Sequence, residues 1–363
     1  MTYPSGPYGY GYAPPPPPPR PGVIPLAPLS FSEILTGAFT TYGRYWKPLI
    51  GVAVAAYTAV AVLAGAALLV AWAAVGEDIR RLADLPSGQD PEFADIQPLI
   101  VAFASVWLLV MAAYVVCGGL VSAAVPAVVQ EAVLGRPLTF GAAWRRAWSR
   151  LGAVIGSVFL TMAATVVPML LFLVGFALLM AGVITGIAAS DGGSADEGPG
   201  LAVVGLIFFL GALALLPLAL WIVVRFSLAP TVAVIEGQGP VTSLRRSAAL
   251  VKGSWWRVFG CTIGAGLMVG TVSGVLQQVL AQLGSFPLST VNFGENPTPS
   301  EIVAAFGGVF FVLTIAQLLV QAVAAPFVPL VSGLLYVDQR IRKENLAPVL
   351  AETAAAAGPP FSR

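Results

Sequence analysis

Two short basic stretches carry the side chains best suited to chemistry in this chain. "WRRAWSR" holds Arg145, Arg146 and Arg150 among tryptophans, and "LRRSAALVKGSWWR" holds Arg245, Arg246, Lys252 and Arg257. Guanidinium and ammonium groups spaced over a few helical turns bind phosphate oxygens, Arg often with two parallel hydrogen bonds. Indole rings between them settle at the headgroup level of a bilayer. These seven bases therefore form a candidate collar for anionic lipid headgroups, each contributing about 1 kcal/mol near an anionic surface. A plainer account has the same bases only orient the neighbouring apolar runs during insertion. A second set is neutral. Gln278 and Gln282 lie one helical turn apart, as do Gln317 and Gln321, and Gln277 adjoins the first pair. Such amides bond between helices or line a polar path.

Catalytic constellations are harder to find. The chain has 0 histidines among 363 residues, which removes imidazole acid–base chemistry, Ser-His-Asp triads and His-ligated metals. No phosphate-cradling "GxxxxGK[ST]" loop occurs. "GAGLMVG", which starts at Gly264, falls inside an apolar run, where glycines favour helix packing. Glu77 and Asp78 fit a solvated loop better than a catalytic pair. Arg225 ends an apolar run and can reach toward the interface. Cys117 and Cys261 sit in apolar runs and read as small buried hydrophobes. Enzymatic activity, a metal, a cofactor and a nucleic-acid partner are not expected.

The elements that must position these residues are apolar helices. Hydrophobic residues make up 58% of the chain and charged residues 10%, against about 25% charged in ordinary soluble domains. Six apolar runs cover about 49–75, 98–128, 153–189, 201–226, 258–284 and 302–337. Each is long enough to span a bilayer, which takes about 20 residues. The third contains Pro168 but no polar turn, so it reads as one long helix. If six spans alternate, every Lys and Arg except Arg80 and Arg81 falls on one side. The connections on the other side are acidic, including those with Glu295 and Glu301. The positive-inside rule then predicts a multi-pass protein of the cell (inner or plasma) membrane with both termini cytoplasmic. The first 20 residues have neither a basic start nor an apolar core, so no secretory signal is expected.

A phrase recurs along the chain: "PLSFSEIL" from Pro28, "PLTFGAAWRR" from Pro137 and "PVTSLRRS" from Pro240. Each opens an aromatic-rich, amphipathic stretch that leads into an apolar run. The fold expected is all-α and integral to the membrane, with six transmembrane helices in three tandem helix–span–span repeats at about 28–136, 137–239 and 240–345. Ser30 and Glu33 form a capping box for the first opening helix, whose apolar face carries Phe31, Ile34, Leu35, Ala38, Phe39 and Tyr42. Thr139 and Thr242 are expected to cap the other two. Returning spans carry Pro126, Pro230 and Pro326, and Glu131 and Glu236 follow the first two. Residues 1–27 form a Pro-, Gly- and Tyr-rich tail, extended and disordered, that could dock a proline-binding protein partner. Residues 346–363 form a C-terminal tail.

Three of these stretches also carry a family resemblance. "LSFSEILTGAFTTYGRYWKPLIG", "APTVAVIEGQGPVTSLRRSAALVKGSWWRVFG" and "YVDQRIRKEN" resemble a bacterial family of polytopic membrane proteins. That family is similar to the membrane domain fused to some glycerophosphodiester phosphodiesterases. The resemblance spans about residues 26–345 and implies a helical membrane domain with no activity of its own established. The phosphodiesterase reaction belongs to a separate barrel that uses His and metal-binding acids, so no catalytic residue carries over. Three readings follow. The first is a non-enzymatic scaffold, accessory or lipid-interacting membrane protein. The alternative is a transporter or permease for a small or lipid-like molecule, which a water-filled cavity lined by the glutamines would favour. The third is a membrane enzyme that works without His.

Overall fold

The computed structural model describes residues 22–83, 92–190, 198–290 and 313–356. The six prolines at 14–19, the acidic connection at 191–197 and the segment bearing Glu295 and Glu301 lie outside the described residues. Every regular element among the described residues is a helix.

Local chemistry sets where the helices start and stop. α1 (Phe31–Arg44) begins at the expected capping box: Ser30 Oγ accepts the Glu33 amide at 3.2 Å, and the Glu33 carboxylate accepts the Ser30 amide at 2.7 Å. Its buried stripe is Ile34, Gly37, Ala38 and Thr41. Phe31 and Phe39, expected on the buried face, flank that stripe and are about half exposed. The chain breaks at Tyr45 and continues as α2 (Trp46–Ala83). α3 (Phe93–Val133) returns and runs straight through Pro126.

α4 (Phe140–Ser190) differs from its counterparts. Its basic opening and its apolar run form one uninterrupted helix of 51 residues, about 75 Å long at 1.5 Å per residue. The reason is local. At the corresponding place after the third opening phrase, Gly253 at φ +81° ends α7 (Pro240–Val251) before α8 (Trp255–Thr290) starts. No such stop separates Leu151 from Val154, so α4 continues. Thr139 keeps its expected place ahead of α4, with the Ala142 amide 3.4 Å from its hydroxyl. Thr242 does not cap α7. Pro240 occupies the first helical position, where its missing N–H costs nothing, so the helix starts after Gly239 and Thr242 lies inside it.

The second and third returning helices break where the first does not. α5 (Gly198–Phe226) gives way to α6 (Ala229–Ile235) one residue before Pro230. A helix over 313–324, α9, turns at Ala325–Pro326 into α10 (Phe327–Glu344). Asn345, in the left-handed region at φ 52°, separates α10 from α11 (Leu346–Ala356).

Six segments are long and apolar enough to cross a membrane: Trp46–Leu82, Phe93–Val133, Phe140–Ile187, Val203–Ile235, Trp255–Leu283 and Leu313–Glu344. Each overlaps one of the six apolar runs of the sequence, and 302–312 of the last run lies outside the described residues. Large side chains such as Leu69, Phe103, Ile184 and Ile207 point outward along them. Water would not tolerate so much contiguous apolar surface, whereas hydrocarbon solvates it.

The buried core gathers at the basic end of the bundle, where the last turns of α3, α6 and α10 meet α1 and α7. Two segments that composition assigned to the tails join it. Ile24, Leu26 and Leu29 are buried, and the Val23 amide bonds the Ala132 carbonyl at 3.2 Å. Residues 22–27, expected to be part of a disordered tail, thus pack against the core, and the rest of that expected tail lies outside the described residues. Leu346, Ala347, Leu350 and Ala351 of α11 also pack on the core, so the tail expected at 346–363 is helical to Ala356. Short apolar segments escaped a compositional reading because neighbouring Pro and Gly dominate it.

Candidate functional site

The basic end of the bundle is tied together by ion pairs gathered in three centres, which hold four carboxylates: Asp338, Glu236 with Glu344, and Glu131. Asp338, on α10, is fully buried. It accepts the Leu29 amide at 2.8 Å, Arg342 Nε at 3.0 Å and Arg257 Nε at 3.1 Å. The Leu29 carbonyl in turn accepts from Arg342 Nη2 at 2.8 Å and from Arg257. The two peptide groups that flank the Leu29 Cα are thus clamped, the N–H of one by the carboxylate and the C=O of the next by two guanidiniums. Taking a carboxylate out of water is costly, and these donors offset that cost.

Glu236, which follows α6, forms a second centre. It accepts Arg246 Nε at 3.0 Å, the Tyr336 hydroxyl at 2.8 Å and Gln238 Nε2 at 2.9 Å. Arg246 reaches on to Glu344 at 2.5 Å, and Arg340 bonds Glu344 at 2.7 Å and the Tyr336 oxygen at 3.2 Å. Burial works against the charge on Arg246, but hydrogen bonding and attraction from Glu236 and Glu344 more than offset it, holding the guanidinium above its ordinary pKa. Glu131 is the third centre, 3.6 Å from Arg146, which also donates to Gln130 Oε1 at 2.6 Å. Arg150 donates to the Gly237 carbonyl at 3.0 Å.

These contacts divide the expected collar in two. Arg146, Arg150, Arg246 and Arg257 are committed to protein acceptors. Arg145, Arg245 and Lys252 remain exposed on the same helices or just beyond them. Exposed Trp148 lies on α4 with the first, and exposed Trp256 opens α8 four residues after Lys252. Arg225 stacks its guanidinium over the Trp221 ring at 4.6 Å. The sequence offered two clues to these ion pairs, the i, i+4 spacings of Asp338 with Arg342 and of Arg340 with Glu344. Nothing local pointed to Leu29, 309 residues from its carboxylate.

The glutamines separate similarly. Gln277, Gln278 and Gln282 are exposed, while Gln317 and Gln321 are half-buried. Gln321 shares a side-chain hydrogen bond with Tyr57, whose ring lies 5.8 Å from that of Tyr114. This contact joins α2, α3 and α9. Tyr57→Phe is expected to lower stability by about 0.6–1 kcal/mol, the usual worth of one such bond inside a bilayer. A double-mutant cycle with Gln321→Leu, read by thermal unfolding in detergent, checks it. Equal losses for Tyr57→Phe in both backgrounds would show no coupling.

Of the "GAGLMVG" glycines, Gly264 packs closely: a Cβ there would lie 3.2 Å from the Phe31 ring, while Gly266 and Gly270 have no neighbour within 4 Å. Cys117 and Cys261 are buried free thiols. Among the described residues, no group of three or more His, Cys, Asp or Glu side chains is placed to hold a metal. No family model, no curated protein and no solved structure matches the chain.

Proposed function

We propose that this chain is a non-enzymatic multi-pass membrane protein whose basic end is a rigid platform for anionic lipid headgroups, serving a scaffold or accessory role. The observation that carries the reading is the division of the collar. Four bases hold the platform together, and Arg145, Arg245 and Lys252 face outward, the first on a helix with exposed Trp148 and the last four residues ahead of exposed Trp256. The segregation of Lys and Arg supports placing this end on the cytoplasmic side of the cell membrane.

Three tandem repeats also belong to this reading. What supports them is the order of the ion pairs. Glu131, after the first returning span, meets Arg146 in the helix that opens the second unit. Glu236, after the second, meets Arg246 in the helix that opens the third. Asp338, at the end of the third, takes the amide of Leu29 just ahead of α1, and so leads back to the first. Three successive units joined head to tail would close in this way. The likeness to membrane domains that accompany phosphodiesterases fits an accessory role.

Arg145→Gln with Arg245→Gln tests the platform. The expected result is an unchanged melting temperature, because neither side chain is buried, with anionic phospholipid co-purification reduced severalfold. Unchanged lipid content in the double variant would refute the reading.

A further inference from the structure

We propose that a cleft between the α1–α2 junction and the loop before α4 binds the phosphate of an anionic lipid headgroup. The cleft has a volume of about 590 Å³. One wall is Arg44, Tyr45, Trp46 and Lys47, and the other includes Thr139 and Phe140. No carboxylate lines it. Its two charged groups, Arg44 and Lys47, are both cationic and both exposed.

Like Arg145, Arg245 and Lys252, these two bases are not committed to a protein acceptor, but these two share one cleft. At this end of the bundle, Arg146, Arg150, Arg246, Arg257, Arg340 and Arg342 each donate to an acceptor of the protein. Among the described residues, Arg44 and Lys47 pair with no acid, and the Lys47 ammonium rests 6.0 Å from the centre of the Trp46 ring. Glu131, the carboxylate whose charge reaches Tyr45, is already held by Arg146. Two uncompensated cations in one concave site leave a positive potential for an anion to neutralise.

The walls are fixed before any ligand arrives. Buried Tyr45 donates its hydroxyl to the Arg136 carbonyl at 2.8 Å, which ties the α1–α2 junction to the facing loop. The Phe140 ring lies over Gly51 of α2, where even a Cβ would come within 3.1 Å of it. Burial pushes the Tyr45 phenol pKa up, so the hydroxyl keeps the proton that makes this bond. α2 and α4 begin at the cleft while α1 and α3 end beside it, so helix dipoles of both signs meet there and the positive field is that of the side chains.

The position selects a lipid over a soluble phosphate. The first candidate span starts at Trp46, so the cleft sits where hydrocarbon gives way to headgroups. Trp46 and Phe140 are about half exposed at its rim, as aromatic rings at that level are. A phosphate held between Arg44 and Lys47 would let its acyl chains run down the outer surface of α2.

Native mass spectrometry of the full-length protein in detergent, titrated with phosphatidylglycerol, phosphatidylcholine and glycerol phosphate, tests this. One tight phosphatidylglycerol site is expected. Arg44→Gln with Lys47→Gln should weaken it about 30-fold, on the usual contribution of two bases at an anionic surface. Arg44→Lys with Lys47→Arg should retain most of the affinity. The Arg145 and Arg245 double variant should keep this site, so failure here and failure of the platform reading are separable. Equal phosphatidylglycerol affinity in the Arg44 and Lys47 glutamine variant overturns the proposal. Equal binding of phosphatidylcholine overturns the requirement for an anionic headgroup. Glycerol phosphate binding as tightly as the lipid overturns the assignment to a lipid.

Discussion

Asp338→Ala should destabilise the protein more than loss of any other single ion-pair partner. The substitution leaves the Leu29 amide without its acceptor and two guanidiniums without their shared counter-charge. Breaking one side of a buried pair costs about 3–5 kcal/mol. The side chains of Arg257 and Arg342 keep 29% and 35% exposure and can turn partly to water, which places the loss near the lower limit. At roughly 2 °C per kcal/mol for a chain of this size, a fall of about 6 °C in melting temperature is expected. Asp338→Asn retains one oxygen for the Leu29 amide and should lose about half as much. The Leu29 contact gives a second readout: in Asp338→Ala, limited proteolysis should cut the chain ahead of α1 faster than in the parent. A melting temperature and cleavage rate equal to those of the parent would show that the clamp carries no stability.

Gly205→Leu should produce the other large loss, by a different route. α4 and α5 approach so closely that a Cβ on Gly205 would lie 2.2 Å from the Leu179 backbone nitrogen. Reciprocally, a Cβ on Gly175 would lie 2.5 Å from the backbone nitrogen of Phe209. Backbone cannot yield by changing rotamer, so the helices must separate. Apolar side chains gain little by leaving lipid for another helix, and close van der Waals contact is what holds such a pair. The neighbouring Phe172–Phe209 contact, with ring centres 5.1 Å apart, would be lost with it. About 3 kcal/mol is expected, the upper part of the overpacking range. Gly211→Leu is the control in the same helix, since nothing lies within 4 Å of a Cβ there. Indistinguishable thermal unfolding of the two variants would exclude a close α4–α5 approach.

Much of the candidate site could be read without coordinates, but only as residue types. Within each basic stretch the bases and their aromatic neighbours lie within a few helical turns, as Ser30 and Glu33 lie within one, and helical spacing exposes them. Which bases face outward could not be read. Arg145 and Arg146 are adjacent, yet one is exposed and the other is bound to Gln130 and Glu131. Arg44 and Lys47 attracted no attention because their significance lies in the wall opposite, which the chain supplies some 90 residues later.

The apolar runs, their number and the α1 cap were determined by the sequence alone, because hydropathy and capping depend on residues close together in the chain. The unbroken course of α4 was equally local, but it rested on the lack of a stop signal, which the recurrence of the opening phrase obscured. Tertiary structure decided the rest. It joined Asp338 to Leu29, brought Gly175 and Gly205 to the α4–α5 contact, and drew residues 22–29 and α11 into the core. The physical reason is that these helices are apolar nearly all round. A helix in water announces its buried face by its polar opposite face, whereas a helix in lipid does not. The faces that meet are then selected by close packing and by ion pairs between distant residues, and both exist only once the chain has folded.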